Sequence, residues 1–246
     1  MSEFFLELFS EEIPAGLQKN LREKIFEDFK SLFEEKSIKS KKNFSFSTPN
    51  RLVLVFEGLD KQIKIKSDEI RGPKTSAPDQ ALMGFLRSNK IKKKDLFKKK
   101  TEKDEFYFYK TVATSLKTYD LLTESIPKIL NNYKWKKSMK WGEFDLNWGR
   151  PLKSILSIFD KKTISFKFHH LVSSNQTFLD KDFEDKKRSF KNFKKYEKFF
   201  ENNAVVINHN KRLKIINKSF SKILEKKGLK INENPKLMDE VVNLVD

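Results

Sequence analysis

The chain has 246 residues, with 52 Lys and Arg against 34 Asp and Glu, for a formal charge of +18. Its apolar share of 37% is low and its charged share of 35% is high for a globular protein, but 24 phenylalanines supply enough ring surface for a core and exclude disorder, which goes with few aromatics. The absence of cysteine excludes a disulfide framework and thiolate chemistry.

The charge favours an anionic partner such as nucleic acid, a membrane surface or an acidic protein. The abundance of Lys, Asn, Ile and Phe beside little Gly, Pro and Ala also matches an AT-rich genome, so charge alone does not choose among partners. The acidic start, Met1 to Leu8, lacks the basic region and apolar run of a signal peptide. No apolar run reaches membrane-spanning length, and a soluble, cytoplasmic protein is expected.

Phe4 to Phe9 reads as a strand, broken by Ser10-Glu11-Glu12-Ile13-Pro14-Ala15-Gly16. Leu17, Leu21, Ile25, Phe29 and Leu32 then recur at helical spacing. Lys36 to Lys42 reads as a basic loop, and Arg51 to Phe56 as a buried strand ended by Gly58. Ile63 and Ile65 alternate with lysines, as a half-exposed strand should. Arg71-Gly72-Pro73 reads as a turn. Ser76 is placed to cap a helix with Pro78 in its first turn and Ala81, Leu82, Phe85 and Leu86 on its apolar face. Lys90 to Lys103 reads as an exposed lysine-rich segment, and Phe106 to Val112 as a strand.

Tyr119 to Tyr133 is helical in pattern, with Pro127 expected to kink or restart it. Leu152 to Phe159 is helix or strand, and Thr163 to Phe168 alternates like a strand. A charged segment, Lys181 to Lys187, precedes an aromatic helix with Phe190, Phe193, Tyr196 and Phe200. Ala204 to Ile207 reads as a strand, and Lys211 to Lys227 as an amphipathic helix ending at Gly228. Strands and helices mix without strict βαβ order, so the expected class is α+β, with mixed sheet elements and packed amphipathic helices. Leu237, Met238, Val241, Val242 and Val245 carry an apolar pattern to the last residue, Asp246, as in a chain that continues.

Catalytic patterns are sparse. His169 and His170 are adjacent, so on a strand they point to opposite faces and do not chelate one metal. His209 stands alone. There is no Gly-x-x-x-x-Gly-Lys or Gly-x-Gly-x-x-Gly loop to cradle a phosphate. Glu11-Glu12 at a helix start fits the macrodipole as well as an acid–base pair. No catalytic, cofactor-binding or metal-binding residue is assigned.

The most unusual stretch is Lys134 to Pro151. It holds all three tryptophans, Trp135, Trp141 and Trp148, two Trp-Gly pairs at Gly142 and Gly149, and Lys134, Lys136, Lys137, Lys140 and Arg150. Two uses are open: tryptophans stacking on unpaired bases while cations meet phosphates, or tryptophans in the core beside solvated lysines.

Several motifs, in order, resemble the beta subunit of the bacterial heterotetrameric glycine–tRNA ligase. Leu6-Glu7-Leu8-Phe9-Ser10-Glu11-Glu12-Ile13-Pro14-Ala15 is similar to that family's opening Leu-Glu-Ile-Gly-Thr-Glu-Glu-Ile-Pro-Ala. Thr48-Pro49-Asn50-Arg51-Leu52 resembles its Thr-Pro-Arg-Arg-Leu. Arg71-Gly72-Pro73 and Gly84-Phe85-Leu86-Arg87 resemble its Lys-Gly-Pro and Gly-Phe-Ala-Arg. Ser138-Met139-Lys140-Trp141-Gly142 and Arg150-Pro151-Leu152 resemble its Met-Arg-Trp-Gly and the Arg-Pro that follows. Val206 to Arg212 is similar to a later segment with a buried strand and an Arg. The family's Thr-x-Gly-His-Arg-Phe has no counterpart in Ser173 to Asp180.

The resemblance implies a non-catalytic subunit of an α2β2 aminoacyl-tRNA synthetase. Its alpha subunit handles ATP, glycine and Mg2+, and its beta subunit serves tRNA binding and aminoacylation. It also implies that residues 1–246 form the N-terminal region of a larger multidomain subunit, with 170–190 as the place for any subdivision and with later HD-like and anticodon-binding domains not in this chain. Lys140, Arg150, Arg51 and Arg71 are the candidate contacts with nucleic acid or the partner subunit. Trp141 and Trp148 are expected to anchor the fold, and Gly142 and Gly149 to set turns. The rival reading is a stand-alone basic RNA-binding module.

Overall fold

In the first strand Phe4, Leu6 and Leu8 alternate with Phe5, Glu7 and Phe9, so both faces are largely apolar and both need cover. The computed structural model describes residues 2–65, 67–101, 104–111, 114–179, 187–230, 232 and 234–245. In it this strand, β1 (Glu3–Ser10), is the middle of a five-stranded antiparallel sheet. It is followed by α1 (Ala15–Glu35), β2 (Lys42–Thr48) and β3 (Arg51–Glu57).

The chain then forms a separate compact unit, Gln62–Lys117. This unit holds β4 (Gln62–Ile65), β5 (Glu69–Lys74), α2 (Asp79–Asn89), β6 (Leu96–Lys100), β7 (Glu105–Lys110) and β8 (Thr114–Lys117). β4 pairs with β8, and β5, β7 and β6 form a three-stranded antiparallel sheet in that order. α2 lies on the face that carries Tyr109, with Phe85 edge-on to that ring at 6.2 Å.

The larger unit resumes with α3 (Thr118–Asn132), β9 (Leu152–Phe159) and β10 (Lys162–Thr163). Short pairings follow in β11 (Lys167–Phe168), β12 (Leu171–Val172), β13 (Gln176–Thr177) and β14 (Arg188–Ser189). Three helices complete it: α4 (Phe193–Asn202), α5 (His209–Lys227) and α6 (Pro235–Leu244). The main sheet runs β10-β9-β1-β3-β2, and β1 is paired on both sides, with Leu6 opposite Leu54 and Ser157.

Each face of that sheet has its own cover. Phe4 and Phe56 meet Phe29 and Phe33 of α1 in a ring cluster with centroids 5.0–6.4 Å apart. On the other face Phe5, Phe46, Val53, Val55, Leu156 and Ile158 pack with Phe193, Tyr196 and Phe200 of α4. Burying one phenylalanine contributes about 1.5–3 kcal/mol, and this chain places most of the rings it needs on one sheet. The class is α+β, as expected.

Several elements differ from the expectation. Lys42–Thr48 is a strand whose two ring positions, Phe44 and Phe46, are separated by serine. Arg71-Gly72-Pro73 lies inside β5, where the register slips between Arg71 and Lys74, so it is an irregular strand and not a turn. Ser76 caps nothing; α2 begins after Pro78. Part of the lysine-rich segment is an edge strand, β6. α3 continues through Pro127. Thr163 to Phe168 is split between β10 and β11.

Ala204 to Ile207 is not a strand, and Arg212 takes the carbonyls of Val206 (2.6 Å) and Ile207 (3.1 Å) that a strand would have paired. Glu11 and Glu12 precede α1 and are not in its first turn. The two units divide at 61/62 and 117/118, not near 170–190, where β13 and β14 pair with each other. Most of the charged segment Lys181 to Lys187 lies outside the described residues.

Candidate functional site

The tryptophan-rich stretch leaves α3 and folds back on itself. Met139 and Trp148 exchange both backbone hydrogen bonds, at 2.9 and 3.1 Å. Within the loop they close, the Phe144 amide donates to the Trp141 carbonyl at 3.2 Å, around Gly142 with φ +56°. A left-handed φ of this kind is available to glycine at little cost.

The three tryptophans take different roles. Trp148 is 4% exposed. It meets the edge of Trp135 at 5.0 Å and Phe168 at 5.9 Å. Gly149 has no positive φ; a Cβ there would overlap the Trp135 ring. Gly149 therefore serves close approach and not a turn, which corrects its expected role. Trp141 is 47% exposed, which corrects its expected role as an anchor. Its ring lies 5.8 Å from Phe144, itself 38% exposed. Phe144 in turn stacks on His170 at 3.7 Å and 8°. Burial, then the neighbouring His169, hold the His170 pKa below its ordinary value, so near neutral pH it offers an uncharged ring to this stack.

Around these rings Lys134, Lys136, Lys137 and Lys140 are exposed. Lys140 makes one ion pair, to Asp145 at 3.4 Å, worth little at such exposure. The hairpin tip thus carries open aromatic faces beside cations, the combination that unpaired bases and phosphates recognise.

Its base joins two other segments. The Arg150 Nε donates to the Glu12 carbonyl at 3.1 Å, and the Glu11 amide to the Pro151 carbonyl at 2.9 Å. The Ser10 and Ile13 amides donate to the Asn50 and Pro49 carbonyls at 2.9 and 2.7 Å. Stretches 10–14, 49–50 and 150–151 therefore meet at one end of the main sheet. They border a cleft of about 460 Å³ that Glu11, Ile13, Pro49, Met139, Arg150 and Leu244 help to line. Lys153 pairs with Glu11 at 2.6 Å at this junction.

Arg51, expected at a contact surface, is fully buried. Its Nη2 donates to the Phe178 and Leu179 carbonyls at 2.6 and 2.7 Å, and its Nε lies 3.5 Å from the buried Glu7 carboxylate. The guanidinium sits between the rings of Phe9 (4.5 Å) and Phe200 (4.6 Å). Glu7 also accepts from the Thr177 and Tyr196 hydroxyls. Burial raises the Glu7 pKa, against the lowering pull of Arg51 and the two hydroxyls; burial and then Glu7 hold the Tyr196 hydroxyl well above its ordinary value. Arg51 is a structural residue, and a surface partner does not reach it in this fold. Glu7 inside an apolar strand was the signal for this network, because an acid at a core position needs a cation and donors.

Arg71, exposed on β5, belongs to the other unit, with its guanidinium carbon 3.6 Å from the centre of the Phe106 ring. Among the described residues no group of three or more His, Asp or Glu is placed to hold a metal ion. Among those residues no helix is long and apolar enough to cross a membrane.

The family model of the glycyl-tRNA synthetase beta subunit matches residues 4–246. The chain is 37% identical over 244 residues to the glycine–tRNA ligase beta subunit of Rickettsia bellii (strain OSU 85-389), covering 99% of this chain and 37% of that relative. It is 35% identical over 246 residues to the same subunit of Rickettsia canadensis (strain McKiel), covering 100% of this chain and 37% of that relative. Rickettsia conorii (strain ATCC VR-613 / Malish 7) gives 36% over 244 residues, again over 37% of the relative. The chain therefore spans somewhat over a third of the length of these curated relatives.

Proposed function

The chain belongs to the glycyl-tRNA synthetase beta subunit family, and on that premise we propose that it acts as a non-catalytic part of a glycine–tRNA ligase, in the cytoplasm, assembling with an alpha subunit in an α2β2 enzyme and helping to hold tRNA. In this reading ATP, glycine and Mg2+ are handled by the alpha subunit. The present chain supplies scaffold and surface: Lys140 and the neighbouring lysines meet tRNA phosphates, Trp141 and Phe144 offer faces to an unpaired base, and Arg150 contacts tRNA or the alpha subunit.

The observation that supports this most is the match over residues 4–246. It is accompanied by the convergence of 10–14, 49–50 and 150–151 at one junction. Those three stretches hold each other through backbone hydrogen bonds, so their side chains are displayed in a fixed geometry beside the hairpin.

The test is co-expression with the alpha subunit from the same organism. The chain is expected to co-purify with it through size-exclusion chromatography. A chain that remains separate under low-salt conditions overturns the assembly reading. Binding of tRNA is expected to weaken as salt rises, with a log–log slope of about −0.9 per phosphate neutralised on duplex. A slope near zero removes the backbone-contact reading.

A further inference from the structure

The unit Gln62–Lys117 carries fifteen Lys and Arg against seven Asp and Glu, a net +8 in 56 residues, while the other 190 residues share the remaining +10. Part of this charge lies on one side of a sheet. β5, β7 and β6 pair so that Phe108 stands between Arg71 and Phe97, and Phe106 between Lys74 and Lys99. Alternation puts all six side chains on the same face. It is the face opposite Tyr109, whose ring meets Phe85 of α2.

On this face the Phe97 ring stacks on Phe108 at 6.0 Å and 26°, and is 37% exposed. The Arg71 guanidinium lies over Phe106 at 3.6 Å. Lys74 and Lys99 also overhang rings, at 5.9 and 5.8 Å. These two lysines are paired with Asp104 (2.6 Å) and Glu69 (2.8 Å), but such exposed pairs are weak and a phosphate can replace the carboxylate. The Arg71 side chain makes no hydrogen bond or ion pair among the described residues.

We propose that this face is a docking platform for an unpaired stretch of nucleic acid. Two flat groups, the Phe97 ring on Phe108 and the Arg71 guanidinium on the neighbouring Phe106, offer surfaces on which successive bases stack. Lys74 and Lys99 take the flanking phosphates. Bases inside a duplex are already stacked and cannot use these surfaces, so the face selects single strands. The inference does not depend on assembly with an alpha subunit.

The experiment is a fluorescence-anisotropy titration of the full 246-residue chain with a labelled single-stranded oligoribonucleotide and, separately, a blunt RNA duplex of equal length. Phe97→Ala is expected to weaken single-strand binding at least about fivefold and to leave duplex binding unchanged. Arg71→Lys keeps the charge but loses the planar group, and is expected to weaken the single strand in the same selective way. Phe97→Trp is expected to retain or tighten it.

The proposal is overturned if Phe97→Ala and Arg71→Lys both leave single-strand affinity unchanged, or if both lower duplex affinity equally. If Phe97→Ala unfolds by circular dichroism, Arg71→Lys decides alone. Loss of alpha-subunit co-purification by these variants with normal oligonucleotide binding would make the face a protein interface, and would overturn the proposal while leaving the family reading intact.

Discussion

Arg51 and Arg150 sit in neighbouring junction segments and meet opposite surroundings. Arg51 is sealed between Phe9 and Phe200 against Glu7, so Arg51→Ala leaves a buried carboxylate without its cation. That loss is expected to cost about 3–5 kcal/mol, read from urea unfolding. Arg150 donates one exposed hydrogen bond, and Arg150→Ala is expected to cost about 1 kcal/mol or less while weakening tRNA binding. A large stability loss with unchanged tRNA affinity would instead make Arg150 structural.

His209 gives a pH signature. Its pKa falls to about 4, from burial and then from the charges of Arg22 and Arg212. The unfolded chain therefore takes up this proton first, near pH 6.5, while the folded chain resists until about pH 4. Between those values the fold loses stability as pH falls. His209→Gln is expected to flatten this part of the stability–pH curve measured by denaturant unfolding.

The hairpin between α3 and β9 separates anchor from display. Trp148→Ala empties a packed site and is expected to cost about 3–5 kcal/mol. Gly149→Ala drives a methyl into Trp135 and is expected to cost about 1–3 kcal/mol. Trp141→Ala is expected to stay within about 0.5 kcal/mol of the parent in the same unfolding experiment and to lower tRNA affinity. Elements with strong period were readable in the sequence: β1, α1, β3 and β7 stand where the apolar spacing puts them, because one or both faces of each are buried; α5 also stands where its spacing puts it, although Arg212 is its one buried residue.

The misses have local causes. β2 presents its two rings between serines and polar residues, and three of the five residues of β6 are lysine, which an edge strand tolerates. Ala204 to Ile207 has strand composition, but Arg212, only six and five residues beyond Val206 and Ile207, claims their carbonyls locally. The Asn caps at 192, 208 and 234, each accepting a backbone amide, were a readable signal of three helix starts. Which tryptophan is displayed was not readable, since all three share composition and only the Met139–Trp148 pairing separates them.

In the larger unit the sheet order β10-β9-β1-β3-β2 concentrates stability in its middle. Amides of β1 and β3 are expected to be the slowest to exchange in hydrogen–deuterium measurements, since their opening requires near-global unfolding. Exposed ends of α5 and α6 should exchange first. Many contacts are far apart in sequence, so folding should be slower than for a helical bundle of similar size.

That topology also sets an order of events on the ribosome. β1 is made first, and β3 follows as one partner; the other partner, β9, begins at Leu152. At about 5–20 residues per second, the stretch from β3 to β9 takes about 5–20 seconds to synthesise. Throughout that interval the nascent chain carries an apolar strand with one hydrogen-bonding edge unsatisfied. The protein's most buried strand is thus, during synthesis, its most vulnerable one, and the interval is the window in which a chaperone or a wrong strand can claim it.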